Sequence, residues 1–306
     1  MSGLQIVLKH CTLTTPVAIV HGGAGTWKAA PIEVWEVLDK AVMIGVENSS
    51  KSALEGAVLS VEKLEDTCLL NAGRGSVLDY YGNISMDAGL MDGVSRKYGA
   101  VANVHYPLHP IRLAYIIMNQ TAHNFLAGME ADLFASQLGL TRHPGPCENR
   151  INQWVESRSK PLRPHLEANR KWLESDTVGG IVSDGNLVAV GVSTGGISLK
   201  MPGRVGDSPL IGGGFYSTGK VGVIATGIGE LISRYLLSYR LALAFEEGGY
   251  SAVSKVFNEF TDKYGYGTAG FILGSNKGDV ITGYNTEFMP WKACDKERCI
   301  GNYVKS

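Results

Sequence analysis

Three threonines in the second part of the chain stand beside glycines, in a pattern that suggests hydrolysis by a hydroxyl group. They occur as Thr177-Val178-Gly179-Gly180, Ser193-Thr194-Gly195-Gly196 and Thr226-Gly227-Ile228-Gly229. A threonine hydroxyl is a weak nucleophile unless a base lies beside it, and one solution is the free α-amine of the same residue. This amine has a reference pKa of about 7.7–8.0, so a useful fraction of it is unprotonated at neutral pH.

Thr177 has a free amine only if the peptide bond before it is cut. The pair Asp176-Thr177 lies where a polar stretch gives way to a short β-branched run, which is a suitable place for such a cut. The pair alone does not decide the matter, because Asp-Thr is equally typical of a helix or turn cap.

Phosphate binding is the other chemistry that these glycines could serve. Gly227-x-Gly229 lacks the third glycine of the dinucleotide fingerprint, because Ile232 occupies that position. The chain also lacks the Gly-Lys-Thr/Ser of a P-loop. The sequence therefore disfavours a nucleotide site.

The composition excludes several other classes of function. Lys plus Arg (28) and Asp plus Glu (29) nearly cancel, which argues against a nucleic-acid partner. No stretch has the roughly 18 uncharged apolar residues of a membrane span, and the N-terminus does not resemble a secretion signal. The five cysteines are odd in number and scattered, so we expect no disulfide framework, no metal site and a reducing, cytoplasmic compartment.

Helical and strand-like segments must position these residues. Apolar spacing predicts helices at 32–46, 53–64, 111–118, 124–138, 231–247 and 251–264. Short apolar runs predict strands at 17–20, 69–78, 83–90, 98–104, 178–183, 187–193, 210–213, 221–225, 269–273 and 280–284, followed by a polar tail. Strands that cluster in each half favour a layered α/β or α+β fold over an alternating parallel sheet. Residues 140–175 are polar and bracketed by prolines, which predicts a surface linker, either between two domains or within one.

At this point a set of motifs resembles a known family, the plant-type L-asparaginases or isoaspartyl aminopeptidases. These are N-terminal nucleophile (Ntn) hydrolases related to glycosylasparaginase and taspase. The resemblance extends from His21 to about Met289. It rests on His21-Gly22-Gly23-Ala24-Gly25, Asn71-Ala72-Gly73, Met86-Asp87-Ala88, Met91-Asp92-Gly93, Asp176-Thr177-Val178-Gly179, Ser193-Thr194-Gly195-Gly196, Gly203-Arg204-Val205-Gly206-Asp207-Ser208-Pro209, Thr226-Gly227-x-Gly229-Glu230 and Asn285-Thr286-Glu287.

The resemblance implies a four-layer αββα sandwich, formed by one domain over residues 1–306. A precursor of this kind cuts itself before the nucleophile, here between Asp176 and Thr177. The products are an α subunit of residues 1–176, with the linker at about 140–175, and a β subunit of residues 177–306, which stay together. Relatives form dimers, so the resemblance also implies a homodimer of αβ units.

The family's functional residues carry over to matching positions. Thr177 would be the nucleophile, Thr194 would supply a hydroxyl beside it, and Thr226 with the N–H of Gly227 would form the oxyanion hole. Arg204 would bind the α-carboxylate of the substrate and Asp207 its α-ammonium, with a backbone contact near Gly229. Asn71 would lie near the nucleophile, where a simple turn-forming role is the alternative.

No cofactor is implied for catalysis, but a structural sodium ion is. Its ligands would be main-chain carbonyls, which suit a hard cation. In this sequence the matching positions are Leu64, Glu65, Thr67, Leu70, Ala72 and Arg74. Two positions depart from the usual pattern: Cys68 replaces a common proline in this loop, and Phe215 replaces a smaller residue and puts the shape of the pocket in question.

The implied activity is hydrolysis of small substrates, L-asparagine and β-aspartyl dipeptides. Asp207 favours a substrate with a free amino group over the protein chain that a taspase-like endopeptidase accepts. Gly196 stands where glycosylasparaginases typically carry Asn. These two enzymes remain the alternatives within the family, and a catalytically silent small-molecule binding protein on the same fold is the alternative outside enzymology.

Overall fold

A computed structural model describes residues 4–27, 30–158 and 177–303 of the chain. The first part contributes β1 (Val7–Thr12), β2 (Val17–His21), α1 (Ile32–Ser49), α2 (Ala53–Glu65), a 3-10 turn (Gly73–Gly75), β3 (Met86–Met91), β4 (Tyr98–Val104), α3 (Pro110–Gln120), β5 (Phe125–Ala127), α4 (Gly128–Gln137) and α5 (Glu148–Arg158). The second part contributes β6 (Val178–Ser183), β7 (Val188–Thr194), β8 (Phe215–Ser217), β9 (Val221–Gly227), α6 (Gly229–Tyr235), α7 (Leu237–Tyr264), β10 (Ala269–Ser275), β11 (Asp279–Tyr284), β12 (Trp291–Cys294) and β13 (Cys299–Gly301).

The strands form two sheets that pack face to face. The large sheet has the order β13-β12-β2-β6-β7-β3-β4-β5 and the small sheet the order β1-β11-β10-β9-β8. Apolar residues of both sheets, such as Ile181, Ile224 and Ile272, are buried in one cluster between them. Helices α1, α2 and α3 cover the large sheet and α7 covers the small one. The predicted four-layer αββα architecture is confirmed.

Strands from before and after residue 176 are interleaved in both sheets. In the large sheet β2 lies between β12 and β6, and in the small sheet β1 pairs with β11. Neither part could therefore complete its sheets alone.

Glycine allows the layers to approach closely at several points. A Cβ atom added to Gly89 of β3 would lie 2.2 Å from the ring of Phe215, which is fully buried. The bulk of Phe215 is therefore accommodated between the sheets by Gly89. Phe215, whose size departs from the family pattern, therefore lies in the core.

The beginning of the predicted linker is ordered. Residues 148–158 form α5, whose first turn is attached to the loop around residue 70: the Nδ2 of Asn149 donates to the carbonyl of Cys68 (2.9 Å) and the Nε of Arg150 to that of Gly75 (2.7 Å). The sequence of α5 is polar and buries no side chain, which explains the prediction of a linker. Residues 159–175 lie outside the described residues, as does Asp176.

The prediction that the cysteines form no disulfide framework is wrong. Cys68 is bonded to Cys147 and Cys294 to Cys299, and Cys11 is not part of a disulfide. The first pair joins residues 79 positions apart, which meet because residues 143–150 dock on the loop around residue 70. Such a contact has no signature in cysteine spacing.

Membrane insertion was not expected from the sequence. In the described ranges, no helix combines the length and the apolar character that a bilayer span requires.

Candidate active site

Thr177 and Thr194 occupy neighbouring strands at the same end of the large sheet. Val178 of β6 pairs with Ser193 of β7 in an antiparallel register, and continuing that register by one residue sets Thr177 opposite Thr194. Directly opposed residues of antiparallel strands have Cα atoms about 4.5–5.5 Å apart and side chains on the same face. Both threonines are only 3% exposed, so two hydroxyl-bearing side chains share a buried corner.

Thr226 approaches the same corner from the small sheet. A Cβ added to Gly222 would lie 3.4 Å from Ile181, and one added to Gly179 would lie 2.8 Å from Ile224. Moving two residues back along β6, from Ile181 to Gly179, therefore moves the contact two residues forward along β9, from Gly222 to Ile224. Continuing this correspondence by one more step of two residues, to the strand ends, sets Thr177 opposite Thr226.

The end of β9 has a geometry that only glycine tolerates. Gly227 has φ of +135°, and a Cβ on it would lie 2.3 Å from the carbonyl oxygen of Thr268. The hydroxyl of Thr226 accepts a hydrogen bond from the N–H of Ala24 (3.3 Å), which belongs to the glycine turn after β2. The strand end is thus held between that turn and β10.

Asn71 fixes the turn that follows Thr194. Its Nδ2 donates to the carbonyl of Gly196 (2.7 Å), and its Oδ1 accepts from the N–H of Val77 (2.9 Å). The N–H of Gly196 in turn donates to Oγ1 of Thr194 (2.9 Å). Asn71 is therefore more than a turn former, because its side chain orients the backbone that contacts Thr194.

Arg204 and Asp207 meet at Gly229, the first residue of α6. A Cβ on Gly229 would lie 2.8 Å from Oδ1 of Asp207 and 3.0 Å from Nη2 of Arg204. The guanidinium of Arg204 also forms a two-point ion pair with Glu230, with distances of 2.9 Å from Nε to Oε1 and 3.0 Å from Nη2 to Oε2. The sequence analysis quoted Glu230 within a motif but assigned it no role.

Burial controls the charge of this cluster. It raises the pKa of the Asp207 carboxyl from 3.8 to about 7, although the nearby Arg204 opposes the shift. Within the described residues Oδ2 of Asp207 has no hydrogen-bond partner. Glu230 behaves differently: burial would raise its pKa, but the hydrogen bonds from Arg204 outweigh this and lower it. The cluster thus combines an ion pair with a buried carboxyl whose Oδ2 has no hydrogen-bond partner in the described part of the chain, and this combination can bind a zwitterion.

The comparison with known proteins now decides the family. A model of the family described as asparaginase matches residues 14–304. This chain belongs to the asparaginase family. The match includes every predicted site residue.

Its curated relatives come from distant organisms. The chain is 39% identical over 282 residues to the plant-type L-asparaginase of Pyrobaculum calidifontis, covering 89% of this chain and 94% of that one. It is 36% identical over 301 residues to the isoaspartyl peptidase/L-asparaginase of Homo sapiens, covering 91% and 92%, and 35% identical over 308 residues to that of Xenopus laevis, covering 94% and 95%.

Sequence reasoning missed one buried cation of this asparaginase-family site. Lys200 is 4% exposed and donates from Nζ to the carbonyl of Ser85 (2.7 Å). A Cβ on Gly196 would lie 2.8 Å from the same Nζ, so Lys200 packs against the turn after Thr194 that Asn71 also contacts. Burial lowers the pKa of Lys200 to about 8, against the opposing charge of Asp87. A lone lysine in the apolar stretch between Gly196 and Gly203 was the available signal.

His21 packs beside β6 as a neutral side chain. Its Nδ1 accepts from the N–H of Gly23 (3.2 Å), and its Nε2 lies 2.7 Å from where a Cβ on Gly179 would be. Complete burial lowers the pKa of His21 to about 3. The residue therefore carries no charge at neutral pH.

Proposed function

We propose that this chain is an autoprocessing threonine amidohydrolase that converts L-asparagine to aspartate and ammonia and hydrolyses β-aspartyl dipeptides. The observation that carries the proposal is the convergence of three threonines from two sheets, with Arg204 and Asp207 at the adjoining turn. The names of the relatives, L-asparaginase and isoaspartyl peptidase, agree with it.

Activation would begin with an attack by Oγ1 of Thr177 on the carbonyl carbon of Asp176. The peptide C–N bond breaks, the threonine nitrogen becomes a free amine, and Asp176 is transferred to the threonine oxygen as an ester. Water then hydrolyses the ester, which leaves a carboxylate on Asp176 and restores the hydroxyl of Thr177. The α-amine gained in this way supplies the base that an internal threonine lacks.

In the catalytic cycle this amine would take the proton of Oγ1 as the oxygen attacks the side-chain carbonyl of the substrate. The hydroxyl of Thr226 and the N–H of Gly227 would stabilise the resulting oxyanion, whose charge grows only in the transition state. Protonation of the leaving nitrogen releases ammonia or an amino acid, and water hydrolyses the acyl-enzyme. Thr194 would donate a hydrogen bond to the nucleophilic oxygen from the neighbouring strand.

Substrate binding would use the zwitterionic cluster. The α-ammonium of the substrate gives Oδ2 of Asp207 the donor that it lacks, and the α-carboxylate takes one edge of the Arg204 guanidinium. A planar guanidinium has five N–H groups, so Arg204 can turn from Glu230 towards the substrate or contact both.

The same geometry favours this activity over those of a taspase-like endopeptidase and a glycosylasparaginase. A buried carboxyl at Asp207 suits a free amino group, whereas a taspase-like endopeptidase must accept a continuous protein chain. Gly196 has φ of +81° and lies against Lys200, so the Asn typical of glycosylasparaginases would be strained here.

A structural sodium ion is part of the proposal. The carbonyl oxygens of Leu70 and Thr67 both point at Gly75, since a Cβ there would lie within 2.2 and 2.5 Å of them, and that of Glu65 approaches Gly73 in the same way (2.7 Å). Neutral oxygens grouped in one turn fit a hard monovalent cation. The remaining ligands would be the carbonyls of Leu64, Ala72 and Arg74, and the ion would stiffen the loop that carries Asn71.

Two further expectations belong to the proposal. We expect a homodimer of αβ units, which light scattering tests. We also expect a cytoplasmic location. The two disulfides of the structure are more typical of oxidising compartments, so cell fractionation is the test of this expectation.

A denaturing gel with an ammonia-release assay tests the central claim. The purified 32.8 kDa chain should convert into fragments of 176 and 130 residues and gain asparaginase activity in parallel. Thr177→Ala should abolish both cutting and activity, whereas Thr282→Ala, a buried threonine of β11, should retain both. Activity in the Thr177→Ala variant would refute the mechanism, and a chain that stays whole and inactive would favour the silent binding protein.

A further inference from the structure

A small cavity is lined by the turn after β9, next to Gly229, where the substrate-binding cluster of Arg204 and Asp207 lies. Its volume is about 100 Å³, against the roughly 10–15 Å³ that one water molecule needs, so it can hold an amino-acid side chain. Gly227, Ile228 and Gly267 line it together with residues 24–26, Thr286, Glu287 and Leu4. The hydrolysis of L-asparagine makes no use of this space.

The cavity is continuous with the proposed reaction centre. Gly227 contributes both to its wall and to the proposed oxyanion hole, and the N–H of Ala24, another wall residue, donates to the hydroxyl of Thr226. Arg204 and Asp207 contact the same turn two residues further on, at Gly229. The turn thus separates the groups that would hold the aspartyl end of a substrate from the cavity.

A substrate that contacts both the groups at Gly229 and the proposed oxyanion hole at Gly227 can lie across this turn in only one direction. With its α-ammonium and α-carboxylate at Gly229 and its scissile carbonyl at Gly227, the part beyond the scissile bond points to the cavity. We therefore infer that the cavity binds the leaving amino acid of β-aspartyl dipeptides, and that Glu287 makes it favour basic over acidic residues. This inference rests on the proposed function, and it adds the class of dipeptide that is preferred.

The chemistry of the walls sets the preference. Leu4, Ala24 and Ile228 give the cavity an apolar lining that suits the aliphatic stem of a side chain. Glu287 is exposed, and it forms no ion pair with any other residue that the structure describes. Its carboxylate can pair with a lysine ammonium and repels a second carboxylate. Exposed pairs of this kind change affinity by up to about fivefold.

The test compares two dipeptides on the same enzyme preparation, so that incomplete folding cancels. The kcat/KM values for β-aspartyl-lysine and β-aspartyl-glutamate are measured for the processed wild type, Glu287→Gln and Glu287→Lys. We expect the ratio of lysine to glutamate dipeptide to exceed 1 in the wild type, to fall about fivefold in Glu287→Gln and to fall further in Glu287→Lys. Glu247→Lys, the same charge reversal on the exposed part of α7, should leave the ratio unchanged.

The possible failures are distinguishable. A wild type that hydrolyses neither L-asparagine nor any β-aspartyl dipeptide overturns the proposed function itself. If the wild type hydrolyses them, two results overturn the assignment of the cavity and leave the proposed function standing. One is a lysine-to-glutamate kcat/KM ratio that is the same in the wild type, Glu287→Gln and Glu287→Lys; the other is an equal change of this ratio in Glu247→Lys.

Discussion

Replacing Asp207 by asparagine should stabilise the protein above neutral pH while it abolishes substrate binding. The reason is the position of this carboxyl: it is 3% exposed, and Oδ2 has no partner among the described residues. Ionisation of a carboxyl in such a place is unfavourable, and the folded protein resists it. Asparagine has a similar shape and no charge to bury.

The raised pKa gives the magnitude. The carboxyl titrates at about 7 in the folded protein and at 3.8 when unperturbed, a difference of about three pH units. At about 1.4 kcal/mol for each unit, this amounts to about 4 kcal/mol. Between pH 4 and 7 the native state holds one more proton than the unfolded chain, so the stability of the wild type falls as the pH rises through this window.

The side-chain amide of the Asp207→Asn variant does not titrate, so its effect on stability is the same at every pH. Unpaired amide N–H groups cost about 1–3 kcal/mol, which makes the variant less stable than the wild type at pH 4 and more stable by about 1–3 kcal/mol at pH 8. The difference between the two free energies of unfolding should therefore change by about 4 kcal/mol across the window and reverse its sign.

Urea unfolding between pH 4 and 8 measures this difference. Both proteins should carry Thr177→Ala, which keeps the chain in one piece, and both should be unfolded at the same protein concentration, because the stability of a dimer depends on it. Asp262→Asn, which changes an exposed carboxyl on α7, serves as the control and should run parallel to its parent. If the free energies of unfolding of Asp207→Asn and its parent also run parallel across this pH range, burial does not raise the pKa of Asp207, and the prediction is refuted.

Three further predictions concern the supports of the site. Gly227→Ala should abolish ammonia release and lower the free energy of unfolding by about 1–3 kcal/mol, whereas Gly249→Ala, also at positive φ but in open space, should keep its activity; an active Gly227→Ala enzyme would exclude this turn from the reaction. Lys200→Met should reduce kcat by about 100-fold through displacement of the turn it supports, and unchanged steady-state kinetics would contradict that. A dithiol should lower the thermal midpoint by reducing Cys68–Cys147, worth about 4 kcal/mol for a 79-residue loop, and an equal shift in Cys68→Ser/Cys147→Ser would disprove the cause.

The amphipathic helices were predictable because their pattern is local. Residues 32–46 and 53–64 have the apolar spacing of a helix, and α1 and α2 begin where that spacing begins. Residues 69–78 are as apolar as a strand, but they form a turn that is held by backbone hydrogen bonds and by α5. Residues 291–301 are polar enough to resemble a tail, yet they form the edge of the large sheet, where β12 pairs with β2 and β13 pairs with β12. Both errors arise from contacts distant in sequence.

The candidate site was predictable to the extent that motifs carry it. The threonines, Arg204 and Asp207 stand in recognisable strings, and the fold brings the strings together. The pairing of Arg204 with Glu230 and the burial of Lys200 depend on how α6 and the turn after Thr194 pack. No spacing rule describes such packing, so these contacts were visible only in three dimensions.

The interleaving of strands bears on how such a protein can be made. A cut before Thr177 would sever the chain but not the sheets, because β2 stays hydrogen-bonded on both sides to strands from beyond the cut. Produced separately, each piece would expose the unpaired edges that its partner normally occupies, and such edges promote aggregation. We therefore expect that the chain can be cut only after it has folded, because one continuous polypeptide brings the strands of both pieces into the same sheets.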